Sequence, residues 1–196
     1  MHSPRLQALL TLQTLQDLPR TGWIQHGVAD PERIAGHILG AQYLAMSLHA
    51  QSGLHAQSAT AINLGRVLEL LLVHDAPESV LGDWPRSAAG LLPPGAKAHA
   101  ESKAADQVLS PLSAHARELF REYSEGRTAE ARFARLCDRL QLAVRLYGYR
   151  LRGQGGLEDF EAGLESLDAS DSPEAQSLLT ELRGLLAAVA SRRDPA

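Results

Sequence analysis

The sequence predicts an all-α protein folded as one helical bundle. Apolar residues recur at three- and four-residue steps in segment after segment, the period of a helix face. No alternating β-branched run of useful length interrupts them, and Ala, Leu, Arg and Glu, which all favour helices, dominate the composition. The chain has 196 residues, 44% of them hydrophobic and 21% charged. That is enough to bury a sizeable core as a single domain over 1–196.

The first helix is expected from about Arg5 to Gln16, closed by the Pro- and Gly-bearing turn "DLPRTGW". "DPERIAGHILGAQYLAMSLHA" follows, with Asp30 as its N-cap and Pro31 at the first helical position. Its inward face is Ile34, Ile38, Ala41, Leu44, Ala45 and Leu48. "QSGLHAQSAT" reads as a polar loop, and "AINLGRVLELLLVHD" is apolar nearly all round, hence central. "GDWPRSAAGLLPPG" has too much Gly and Pro for a helix interior. Helices then follow at about 97–109, 112–123 and 128–151, the last turning Phe133, Leu136, Cys137, Leu140, Val144 and Leu146 inward. "RGQGG" ends it, and two helices at about 157–167 and 173–192 complete the chain.

The formal charge of -4 leaves no basic footprint for a nucleic-acid polymer. The most apolar stretch, "VLELLLV", is far shorter than the roughly 20 residues a membrane helix needs. A lone cysteine, Cys137, cannot form an internal disulfide, and the N-terminus lacks a signal-peptide core, so a cytoplasmic protein with no membrane partner is expected. Leucines of the C-terminal helices either cover the core or support a homodimer.

Chemistry concentrates in four side chains. His37 lies in the apolar stripe of its helix, His74 and Asp75 end the most apolar helix, and Asp138 sits beside Cys137 on a long one. Each has an ordinary reading alone: a hydrogen-bonded core histidine, a helix cap, a partner for Arg135 or Arg139. Together they are costly to bury without a shared charge-compensating partner, and a divalent cation is the economical one. His2, His26, His49, His55, His99 and His115 read as solvated, with His26 closest to the site entrance.

The order H…HD…D, with "PRTGW", "LVHDAPESVLGD" and "EYSEGRTAEARFARLCDRLQLA", resembles the HD-domain superfamily of metal-dependent phosphohydrolases, in its 5'-deoxynucleotidase (YfbR-like) branch. The resemblance covers about residues 19–165, with the C-terminal helices 157–192 packed on it. It implies a helical bundle around one divalent ion (Mn, Co, Fe, Ni, Zn or Mg) held by His37, His74, Asp75 and Asp138. It also implies a nucleotide substrate, a nucleoside 5'-monophosphate of deoxy type hydrolysed to nucleoside and phosphate.

The neighbouring residues fit such a reaction. The leaving oxygen needs a proton, which assigns Glu78 an acid/base role, and Asp83 stands in the following loop to orient water or contact the sugar. Arg20 is the phosphate clamp, since a planar fork of donors suits phosphate. Trp23 is expected to wall the sugar or base, and Trp84 and Arg86 occupy the segment corresponding to a family substrate-contacting loop. The chain departs from the family where an acidic residue usually precedes the first histidine. Gly36 stands there, with close packing as its expected reason. The alternatives are an HD hydrolase of another small phosphorylated metabolite and a nucleotide-sensing domain without turnover.

Overall fold

The computed structural model describes residues 2–52 and 62–191; most of the expected polar loop, His55 included, lies outside them. Among the described residues eleven α-helices form and no strand does. They are α1 (Pro4–Gln13), α2 (Thr21–Gln25), α3 (Ile34–Ser52), α4 (Leu64–Val73), α5 (Glu78–Leu81), α6 (Arg86–Ala89), α7 (Ala96–Val108), α8 (Ala114–Glu125), α9 (Ala129–Leu151), α10 (Glu158–Glu165) and α11 (Pro173–Ser191). No helix of the described residues is long and apolar enough to cross a membrane.

Side-chain caps start the central helices. Asn63 accepts from the Arg66 amide to open α4, Ser113 from Ala116 to open α8, and Thr128 from Ala131 to open α9. The 23-residue α9 is the spine, packed against α3, α4, α8 and α11. Leu70, Leu71, Val67, Leu140, Cys137 and Leu146 meet there with at most 1% exposure. A smaller cluster of Leu15, Ile34 and Ile38 seals the start of α3.

Several local expectations change. α3 begins at Ile34, so Asp30 and Pro31 do not cap it. Residues 31–33 instead run extended beside 18–20: Pro19 bridges Arg33, the Arg20 amide donates to Glu32 O, and the Ile34 amide to Leu18 O. The "DLPRTGW" turn runs into the short α2, which begins at Thr21, and the Pro/Gly-rich segment after Asp83 contains the four-residue α6. α4 stops at Val73, because Pro77 has no amide to continue the ladder. The chain then passes through tighter turns, Ala76 donating to Val73 O and Glu78 to Asp75 O. Gly36 is exposed, and a Cβ there would meet nothing within 4 Å, so close packing is not its reason. Val144 is 43% exposed, and Gln141 and Ala143 turn inward instead.

In α11, Leu179, Leu182 and Leu186 are buried and only Leu185 reaches 36% exposure. More exposed large apolar side chains include Leu6, Leu9 and Leu10 on α1, Leu39, Tyr43 and Met46 on α3, and Leu72, Leu91 and Leu151 elsewhere.

One glycine is demanded by its backbone. Gly82 ends α5 at φ 75° and ψ 167°, a region closed to side chains, and turns the chain so that Asp83 faces α2. Gly82→Ala is therefore expected to cost about 1–3 kcal/mol in urea unfolding, with the largest chemical-shift changes around Asp83 and Thr21.

Candidate metal centre and its pocket

Three helices supply the centre. His37 projects from the first turns of α3, His74 follows the last residue of α4, and Asp138 comes from the middle of α9. Donor atoms of these three lie within 4.8 Å of one another. His37 Nε2 is 2.9 Å from Asp138 Oδ1, and both imidazoles are buried, His37 fully. Asp75 stands alongside, its Oδ2 3.2 Å from His74 Nε2 and 3.8 Å from His37 Nε2.

The outer nitrogens of the imidazoles are held from behind. His74 Nδ1 donates to the Leu71 carbonyl at 2.7 Å, and His37 Nδ1 meets the Gln141 side chain at 2.5 Å. That leaves both Nε2 atoms facing the carboxylates. His74 Nε2 is buried with no hydrogen-bond partner, since Asp75 is near but misaligned. A convergent His/Asp donor set with an orphaned buried nitrogen is what a divalent cation satisfies, so these residues fit one.

The electrostatics agree. Burial opposes charging His74, but Asp75 and Asp138 outweigh it and raise its pKa to about 9. Burial likewise opposes ionisation of Asp138, and the His37 hydrogen bond with the His74 and His37 charges lowers it to about 2. Tyr123, from α8, donates to Asp138 Oδ2 at 2.8 Å. Burial and the carboxylates keep that phenol protonated far above its usual range.

Above the centre opens a cavity of about 510 Å³, a size that suits a small-molecule ligand. Asp75, Asp138, Arg20, Glu78, Asp83, Trp84 and Arg86 all line it. Arg20 reaches Asp75 Oδ2 at 3.2 Å and stands 4.0 Å from Asp83 Oδ1. Asp83 also accepts from the Thr21 amide and, through its carbonyl, from Thr21 Oγ1 at 2.9 Å. It thus closes the N-terminus of α2 and holds Arg20 in place. Trp84 donates its indole N–H to Leu81 O at 3.0 Å, and Arg86 is exposed at the rim.

Trp23 sits deeper than expected. It is 1% exposed, donates to Glu32 Oε1 at 3.0 Å, and stacks on Phe160 of α10 at 4.0 Å between ring centroids. Phe160, half-buried, carries the accessible aromatic surface at that end. His26 bonds Gly22 O and approaches Asp159 at the rim, and His49 is half-buried against Ile62 O rather than solvated. Sequence reasoning missed Glu32, Tyr123, Gln141 and Phe160 as individuals. Gln141 carried a readable signal, a polar residue one turn after Asp138 on an otherwise apolar face.

Glu78 differs from every other carboxylate here. Its Oε2 is buried without a partner. Burial first, then the charges of Asp75 and Asp83, push its pKa to about 9 despite Arg20 and His74. A carboxyl with a raised folded pKa binds more protons folded than unfolded between its two pKa values, so it removes stability as pH rises through that window. In metal-free protein, Glu78→Gln should therefore raise the melting temperature more at pH 8 than at pH 5. An equal effect at both would show that Glu78 titrates normally.

Comparison with known proteins places this arrangement. The chain is 32% identical over 165 residues to the 5'-deoxynucleotidase hdd1 of Schizosaccharomyces pombe, covering 76% of this chain and 75% of that one. It is 28% identical over 183 residues to the human 5'-deoxynucleotidase HDDC2, covering 90% and 83%. The crystal structure of PH0347 protein from Pyrococcus horikoshii superposes with a TM-score of 0.78 at 30% identity, over 92% of this chain and 99% of that one. The family model described as HD domain matches residues 12–182, so the chain belongs to the HD domain family.

Proposed function

We propose that this protein is a metal-dependent phosphomonoesterase that hydrolyses deoxyribonucleoside 5'-monophosphates to nucleoside and phosphate. The observation that carries the reading is a single cavity floor. It presents the Asp75 and Asp138 carboxylates, with His37 and His74 buried against them, a guanidinium suited to phosphate and a carboxyl that keeps its proton at neutral pH. The relatives named as 5'-deoxynucleotidases supply the substrate class.

His37, His74, Asp75 and Asp138 are the residues that would hold the ion. When bound, it supplies Lewis acidity and lowers the pKa of a coordinated water. Arg20 is oriented toward the floor by Asp75 and Asp83, and its remaining N–H donors meet phosphate oxygens. As the P–O5' bond breaks, the Glu78 carboxyl gives its proton to the departing 5' oxygen; water supplies the oxygen that completes hydrogen phosphate, and the proton that water loses restores Glu78. Asp83 acts by fixing the Arg20–Thr21 turn. The Phe160 end of the cavity receives the sugar and base, with Trp84 and Arg86 along the wall and Trp23 behind Phe160. Cys137, fully buried with its thiol pushed up to about 12 by burial and by Asp138, is an inert core residue rather than a nucleophile.

Metal-stripped protein given Mn²⁺, Co²⁺ or Mg²⁺ should release phosphate from 2'-deoxy 5'-monophosphates and not from 3'-monophosphates. No release from any of them, with metal bound by elemental analysis, would overturn the substrate assignment in favour of another phosphorylated metabolite or a sensing role. Glu78→Ala should lower turnover by about 10²–10⁴ while leaving metal content near that of the parent. Undiminished turnover would remove Glu78 from the proton-transfer role.

A further inference from the structure

Behind His37 runs a closed hydrogen-bond relay through the α3–α9 interface. The Gln141 side chain lies between His37 Nδ1 at 2.5 Å and Glu32 Oε2, to which its Nε2 donates at 3.0 Å. The other Glu32 oxygen, Oε1, accepts from the Trp23 indole N–H at 3.0 Å, and Arg145 Nε stands 3.7 Å from Oε2. Glu32 and Gln141 are each only 7% exposed. A second feature shows that room is kept for the relay. A Cβ at Gly40 would lie 3.0 Å from Gln141 Nε2 and 3.1 Å from its Cγ, so glycine there lets Gln141 lie between α3 and α9.

The donors and acceptors in this chain permit one assignment. The Trp23 indole can only donate, and its ring is clamped between Phe160 and Tyr149. The Glu32 carboxylate, with N–H groups aimed at both oxygens, accepts. Gln141 must then turn its NH₂ to Glu32 and its carbonyl oxygen to His37, which must carry a proton on Nδ1. We propose that Glu32 and Gln141 are positioning residues that dictate the protonation of His37. They hold the proton on Nδ1, so that Nε2 is the atom presented to the cation. A carboxylate–amide–imidazole chain of this kind replaces the direct carboxylate or carbonyl partner that a metal-binding histidine ordinarily has. The inference rests on the reading of His37 as a metal ligand, but not on what the protein hydrolyses.

Glu32→Gln tests it with almost no change of shape. The introduced amide must keep its oxygen toward the Trp23 N–H, so its NH₂ faces Gln141. Gln141 then flips, offers N–H to His37 Nδ1 and drives the proton off that nitrogen. In the metal-free variant, ¹⁵N spectra should show His37 Nδ1 changing from a proton-bearing to an unprotonated nitrogen. Zn²⁺ affinity, read by chelator competition, should fall roughly ten- to hundredfold, the usual cost of losing such a partner. Gln141→Leu, which deletes the acceptor outright, should lower Zn²⁺ affinity by a similar factor. An unchanged His37 Nδ1 signal in Glu32→Gln, or Zn²⁺ affinities within about twofold of the parent in both folded variants, would overturn the relay. Neither readout involves phosphate release, so failure of the nucleotidase reading would leave this result intact, and the reverse also holds.

Discussion

The structure is organised around the cost of keeping ionisable groups out of water. His37 and His74 are buried where α3, α4 and α9 converge, and Asp75, Asp138 and Glu78 stand half-buried beside them, a grouping costly to desolvate without shared partners. Every other feature of the centre answers that cost. Leu71 O and Gln141 take the outer imidazole nitrogens, Tyr123 takes one Asp138 oxygen, and Arg20 faces Asp75. What stays unanswered is His74 Nε2 and one oxygen of the Glu78 carboxyl.

Rigidity is graded across the same region. His37 and Asp138 stand on long helices that are packed together along α9, so their separation is set by the core. His74 sits at a helix end, and Glu78 lies beyond a run of tight turns bounded by Pro77 and Gly82. Of the groups assigned to holding an ion, two stand on long packed helices and two, His74 and Asp75, on the turn that ends α4. Arg20, Glu78 and Asp83 occupy short elements, two of them tied together by hydrogen bonds through Thr21.

The long helices were legible because their apolar periods are local properties of the chain. The expected 97–109 and 128–151 fall within a residue or so of α7 and α9. His37, His74, Asp75 and Asp138 could be singled out because polar groups on buried faces stand out against leucine and alanine. The start of α3 was misread because Asp30–Pro31 is a good local cap, and pairing with residues 18–20 overrode it. Glu32 and Gln141 escaped for a related reason. Each is an unremarkable polar residue until the fold brings partners 109 positions apart to 3.0 Å. Trp23 has a second duty that only the fold reveals. Its ring borders the cavity, and its indole also anchors Phe160 and Glu32.

The stack of Phe160 on Trp23 divides the cavity by ancestry of its walls. One end is written by α9 and by the turn that follows α4, both backed by the core. The other end is carried by α10, a short helix on the periphery that contributes Phe160 and Asp159. Phe160 is nevertheless tied through Trp23 to Glu32, so a change at Phe160 reaches the histidine cluster while one at Asp159 stays at the rim. Within one short helix, neighbouring positions therefore carry very different freedom to vary.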